Sequence, residues 1–112
     1  HLTGDDVIRE VAGRFAAGIR PVDVLGRYGG EEFAVLLPDV DSRTAVAVAE
    51  RLRLAVAATP VPTRSGPLDV TVSLGLASLT DADRSLESLL ARADQALYRA
   101  KDHGRDRVET AV

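Results

Sequence analysis

The stretch RYGGEEF, Arg27–Phe33, sets two glycines directly before two adjacent carboxylates, with apolar residues on both flanks. Val22–Tyr28 and Phe33–Leu37 are short apolar segments on either side of Gly29-Gly30, the pattern of a β-hairpin with the glycines at or near its turn. Neighbouring acids repel, so Glu31 and Glu32 are either the solvated charges of an ordinary hairpin tip or a seat for a cation.

Outward from the hairpin, Pro38 and Asp39 stop its second strand. Upstream, Ile8, Val11, Ala12, Phe15 and Ile19 recur at helical spacing and predict an amphipathic helix from about Asp5 to Gly18, with Gly4 just ahead of it. Downstream, Asp41 or Ser42 caps a second helix whose apolar stripe is Ala45, Val48, Ala49, Leu52, Ala55 and Val56. Pro60, Pro62, Gly66 and Pro67 punctuate a loop with room for a short edge strand. Asp69–Leu79 alternates as a long strand, with Gly75 a bulge or a point of close approach. Ser85 caps a third helix facing the core with Leu86, Leu89, Leu90, Ala93, Leu97 and Ala100; Gly104 ends it, and Arg107–Thr110 adds a last strand. The order α, β-hairpin, α, β, α, β describes an α+β or α/β domain with helices against a mixed sheet.

A chain of 112 residues, 46% apolar, is long enough for one domain with one core, and at 4% aromatic that core is aliphatic. The absence of cysteine excludes disulfides and thiolate metal sites. No apolar run approaches the roughly 20 residues of a membrane span and no signal peptide opens the chain, so a reducing, cytoplasmic setting is the default. A net charge of −3 argues against broad nucleic-acid binding while leaving room for a local basic cluster. Thirteen of the fourteen basic residues are Arg; the lone Lys101 is either chance or a place that needs a compact ammonium.

Together GGEEF (29–33), TVSLGLA (71–77), ADQALYRAKDHGRDRV (93–108) and the opening HLTGDD, like the second half of a GHxxGD motif, resemble the GGDEF family of diguanylate cyclases in order and spacing. The resemblance covers the whole chain and implies an α+β, sandwich-like domain of nucleotide-cyclase or palm type, with a mixed, mainly antiparallel sheet and flanking helices. It also implies that residues 1–112 are the C-terminal two-thirds of that domain. The family's first strand and helix, with a metal-binding Asp and a guanine-reading Asn, would lie upstream of this chain, and the 112 residues alone are expected to be inactive.

In that family two GTP condense to cyclic di-GMP with release of pyrophosphate, in a bacterial signalling role. The resemblance implies that Glu31 binds Mg²⁺ (or Mn²⁺) and helps deprotonate the attacking hydroxyl, with Glu32 in a supporting catalytic role. Gly29 and Gly30 would let backbone amides approach phosphate, and Lys101 and Arg105 would hold the triphosphate. Read from the residues alone, Lys101 and Arg105 are also cations offsetting a helix C-terminus, on one face if the helix continues past Gly104. Asp5 would accept from guanine N1 and N2; on its own it is equally the acid of a helix's first turn. Asp106 stands where the family usually has Asn.

Arg20-Pro-Val-Asp23 matches the family's RxxD inhibitory product site in its offset from Gly29, and Arg51 falls where a further arginine is supplied. The implied partners are GTP, cyclic di-GMP as product and inhibitor, a second subunit for activity and an upstream sensor domain, with neither nucleic acid nor direct membrane contact. The alternatives are a catalytically degenerate cyclic di-GMP receptor and a dimerisation module.

Overall fold

In the computed structural model, which describes residues 2–111, three helices and four short strands form in the expected order. Helix α1 (Leu2–Ala17) begins three residues before the expected start and takes in Gly4, while His1 of the opening motif lies outside the described residues. A glycine inside a helix costs up to about 1 kcal/mol relative to alanine. Here the acid of the first turn, Asp5, and the packing of Val7, Val11 and Phe15 offset that. Helix α2 (Ser42–Ala57) is capped by Asp41, whose carboxylate accepts from Thr44 N at 2.7 Å. Helix α3 (Leu86–Asp102) is capped by Ser85, which accepts from Ser88 N at 3.1 Å.

The strands depart from a single mixed sheet. β1 (Val24–Arg27) and β2 (Phe33–Leu36) form the antiparallel hairpin, with Val24 opposite Leu36 and Arg27 opposite Phe33. β3 (Leu74–Leu76) pairs in parallel with β4 (Val108–Thr110), and among the described residues no ladder joins the two pairs. The expected strand Asp69–Leu79 is thus paired only over its middle, because its one partner supplies three residues. Val70 and Val72 still pack on the core, so the alternation reported burial and not pairing. The Pro-rich loop contributes one antiparallel bridge, Val61 with Leu68.

The core forms where α1 crosses α2. Val11 and Phe15 meet Leu52 and Val56, and Leu25 and Phe33 of the hairpin close over them, Phe33 edge-on to Phe15 at 5.8 Å between ring centroids. The α2 stripe is buried at Ala45, Ala49, Leu52 and Val56 as expected, whereas Leu86 at the head of α3 is 53% exposed. Arg14 ties α1 to the end of α2, donating to the carbonyls of Val56 and Thr59 at 2.8 Å and of Pro60 at 3.1 Å. Helix α2 has no basic residue in its last turn, so a cation from α1 caps it instead.

Two arginine–aspartate clamps fix the loops. Arg64 Nη2 and Nε hold Asp6 at 2.8 and 2.9 Å, and Arg92 Nη2 and Nε hold Asp83 at 2.6 and 3.0 Å. Asp83 also accepts from Thr80 N and Ser88 Oγ, and its side chain is 2% exposed. The Arg92 hydrogen bonds, then that from Thr80 N, hold Asp83 well below the usual carboxylate range; Arg64 does the same to Asp6. A depressed folded-state pKa contributes stability above the unfolded value that is lost as pH falls below it. The melting temperature is therefore expected to drop from about pH 5 down to about pH 2, and Asp83→Asn to melt lower at about pH 6 and lose less on acidification. Equal acid losses in parent and variant would show that Asp83 is not part of the device.

Candidate functional site

The hairpin tip is closed by Tyr28 N donating to Glu32 O at 2.7 Å, which leaves Gly29, Gly30 and Glu31 in the loop. Gly29 has φ +150°, a region side chains avoid, and a Cβ built on either glycine would meet nothing within 4 Å, so the space beside the tip is open. Arg27 holds the loop from below, its Nε donating to Gly30 O at 2.9 Å and its Nη2 to the same oxygen. Sequence reasoning assigned Arg27 no role, because its partners are backbone carbonyls and carry no residue signal.

Glu31 is exposed and makes no hydrogen bond or ion pair among the described residues. Glu32 is half-buried, with Lys101 Nζ 3.8 Å from its Oε2. Lys101 lies in the last turn of α3. Arg105 lies beyond it and not on a continued helix: Gly104 takes φ +115° and Arg105 N donates back to Ala100 O at 2.9 Å, the six-to-one bond of a Schellman turn. The i,i+4 argument for a shared helical face therefore does not apply. The turn nonetheless delivers Arg105 to the same place.

Glu31, Glu32, Lys101 and Arg105 all line one cleft of about 560 Å³, which opens between β2 and β3 and is floored by apolar residues of α1 and α2. Two carboxylates from the hairpin and two cations from the end of α3 and the turn after it thus converge. Gly4, next to Asp5, lines the cleft as well; Asp5 itself is exposed in the first turn of α1 and, like Gly29 and Gly30, is not part of the wall.

Among the described residues no three His, Asp or Glu side chains gather around a point that would hold a metal. The exposed Glu31 carboxylate, with the half-buried Glu32 beside it, fits Mg²⁺ all the same, since that ion commonly keeps waters, takes substrate phosphate oxygens and uses one or two protein carboxylates.

The second constellation is also assembled. Arg20 Nη2 meets Asp23 Oδ1 at 2.7 Å, Arg20 N donates to Asp23 Oδ2 at 2.7 Å, and Arg20 Nη2 also reaches Pro38 O at 2.6 Å. Arg51 extends from α2 to Gly18 O at 2.6 Å. The Arg20 hydrogen bonds, and more weakly the charge of Arg51, lower the pKa of Asp23, so the three groups share one neighbourhood. None of them lines the cleft.

Comparison with known proteins fits this geometry. The chain matches the family described as "Diguanylate cyclase, GGDEF domain" over residues 1–107. It is 44% identical over 111 residues to the diguanylate cyclase DgcP of Pseudomonas aeruginosa, covering 99% of this chain and 16% of that protein. To the response regulator PleD of Caulobacter vibrioides it is 42% identical over 110 residues, 96% of this chain and 24% of that one. Among solved structures, the GGDEF domain of DgcB from Caulobacter crescentus, in complex with c-di-GMP, superposes with a TM-score of 0.92 at 38% identity, covering 99% of this chain and 66% of that one. The active GGEEF domain of a diguanylate cyclase from Vibrio cholerae gives 0.90 at 33% identity, over 100% and 70%. The chain belongs to the GGDEF family of diguanylate cyclases, with the α+β fold of its domains. It spans about a sixth to a quarter of the length of these curated relatives. Among the described residues no helix is long and apolar enough to cross a membrane.

Proposed function

We propose that this chain supplies most of the catalytic face of a diguanylate cyclase, which joins two GTP into cyclic di-GMP and releases pyrophosphate. The observation that carries the reading is the convergence of Glu31, Lys101 and Arg105 on one cleft although 74 residues separate the first from the last. In each half-reaction the 3′-oxygen of one nucleotide bonds to the α-phosphorus of the other. The bond from that phosphorus to the β-bridging oxygen breaks, and the hydroxyl proton must be taken up. Catalysis of this type is positioning plus charge neutralisation. Lys101, as a mobile point charge, and Arg105, as a planar fork, would bind the triphosphate. The Glu31 carboxylate, exposed and without a partner among the described residues, would accept the 3′-proton. A Mg²⁺ or Mn²⁺ held by Glu31 would supply further neutralisation of the triphosphate when bound.

Two facing subunits, each with one GTP, give the reaction its symmetry, so activity would belong to a homodimer brought together by an upstream sensor domain. The cytoplasm is where the nucleotide is available. Residues 1–112 would form the C-terminal two-thirds of the domain. In support, the cleft has an apolar floor, and β2 and β3 face each other across it without a ladder, leaving a seat for a further strand.

The test is incubation of the intact protein with GTP and Mg²⁺. Cyclic di-GMP and pyrophosphate are expected. Tight binding of cyclic di-GMP without turnover would favour a receptor, and neither would leave only a dimerisation module.

The Arg20–Asp23–Arg51 cluster supports a second, inhibitory site for the product, because it presents a guanidinium fork and a carboxylate that match guanine's O6/N7 and N1/N2 edges. In the ligand-free chain Arg20 and Asp23 satisfy each other, so the product must part them. Arg20→Ala is expected to remove cyclic di-GMP binding in calorimetry and relieve inhibition, leaving initial turnover intact. Unchanged binding in that variant would refute the site.

A further inference from the structure

The phosphate-side turn carries an acid that the proposed reaction would not choose. Gly104, Arg105 and Asp106 have successive φ values of +115°, +63° and +46°, a left-handed run unfavourable for the two residues with side chains. Asp106 places a carboxylate directly beside Arg105, where a polyanion is to bind. That carboxylate is 45% exposed and is not part of the cleft wall. Its Oδ1 accepts from Arg53 Nη1 of α2 at 2.9 Å, across 53 residues of sequence. Its backbone N–H donates to Ser73 Oγ at 3.2 Å, and Arg107 Nε donates to Arg105 O at 3.2 Å. Arg53 is itself steadied on its own helix by Glu50, with Nη2 and Nε at 2.9 and 3.2 Å from the two carboxylate oxygens. The Arg53 side chain is only 19% exposed, so its charge acts in partly screened surroundings.

We propose that Arg53 is a positioning residue for nucleotide binding: it tethers Asp106 to α2 and offsets its charge, so that the left-handed turn presents Arg105 to the triphosphate with less competition from the neighbouring acid. The inference rests on the nucleotide reading of the cleft. Coulomb repulsion between Asp106 and a triphosphate acts over the distance between adjacent residues, whereas the Arg53 contact is direct. Removing Arg53 exposes the triphosphate to that repulsion. Removing the Asp106 charge as well restores the balance.

The experiment is calorimetric titration of the intact protein, with Mg²⁺ at low ionic strength, using a GTP analogue whose α,β-bridging oxygen is replaced by methylene. Arg53→Met is expected to weaken the Kd by about fivefold or more, in the range of couplings between contacting residues. Asp106→Asn, which keeps the Oδ1 acceptor and tolerates the left-handed region, should bind within about twofold of the parent or more tightly. The double variant Arg53→Met/Asp106→Asn should recover to within about twofold of the parent, a rescue that a purely structural role would not give. Arg53→Lys keeps the charge but cannot span Glu50 and Asp106 as the fork does, so it should bind between the parent and Arg53→Met, and it guards against a folding failure of the methionine variant. Parent-like binding by Arg53→Met, a double variant as weak as the single, or a folded Arg53→Lys that binds no more tightly than Arg53→Met would each overturn the inference. A parent that binds the analogue while Arg53→Met is unaffected leaves the nucleotide reading standing; a parent that binds no analogue removes both.

Discussion

Glu31→Gln is expected to reduce cyclic di-GMP formation by at least about 10²- to 10³-fold, the loss that follows removal of a single charge-stabilising group in a transition state. The substitution keeps the shape of the side chain and deletes its charge, so it tests the charge alone. The fold should not notice. Glu31 is exposed, forms no hydrogen bond or ion pair among the described residues, and stands on a loop that Arg27 and the Tyr28–Glu32 bond hold independently. Surface changes of this kind stay within about 0.5 kcal/mol, or a few degrees in melting temperature. The expected pattern is an unchanged melt, a collapsed kcat and retained product binding at Arg20 and Asp23. The last follows because those two residues lie outside the cleft. A Glu31→Gln enzyme with parent-like turnover would show that the tip's charge is not used, and the cyclase reading would lose its centre.

The contrast between what was and was not legible turns on how local each signal is. The caps Asp41 and Ser85, the hairpin around Gly29-Gly30 and the terminator Gly104 are each decided within four or five residues, where side-chain chemistry and φ preference act directly. The pairing of β3 is not local. Whether Val70 and Val72 join a ladder depends on what lies alongside them, and alternation is equally satisfied by packing on the core. Helix periodicity alone does not place Arg105, since beyond Gly104 a Schellman turn folds it back by a route that i,i+4 spacing does not describe. The arginines were the largest omission. Arg14, Arg27 and Arg53 were given no site role, yet Arg14 and Arg53 bind carbonyls or a carboxylate contributed by other segments, and Arg27 binds the carbonyls of its own turn. Arg14 reaches backbone 42 residues away, and a carbonyl is present at every position, so no residue pattern marks the partner. The functional cluster was legible for the opposite reason: Glu31, Lys101 and Arg105 belong to motifs whose order and spacing the resemblance already carried.

Gly75→Ala is the substitution expected to damage the fold most. β3 lies directly on α3, and a Cβ at residue 75 would sit 2.2 Å from Ala93 O, 2.2 Å from Leu97 N and 2.7 Å from Leu97 Cα. Residues 93 and 97 are the partners of one i→i−4 bond of the helix, so the methyl group would fall on that bond and not on a side chain that could swing aside. Either the strand lifts from the helix or the helix opens a turn. Overpacking against side chains costs about 1–3 kcal/mol, and a backbone obstacle places this case at or above the upper end. For a domain of this size about 3 kcal/mol lowers the melting temperature by roughly 10 °C or more. Activity should fall with it, because Gly75 and Lys101 border the same cleft and α3 carries the lysine. Gly26→Ala in β1 is the matched control. A Cβ there meets nothing within 4 Å, and its φ is not in the left-handed region, so this change should be neutral or gain a few tenths of a kcal/mol by restricting the unfolded chain. Thermal melts of the intact protein followed by circular dichroism separate the two glycines. A Gly75→Ala variant melting within about 2 °C of the parent would mean that β3 does not rest on α3, and that Lys101 is not held opposite the hairpin by this packing.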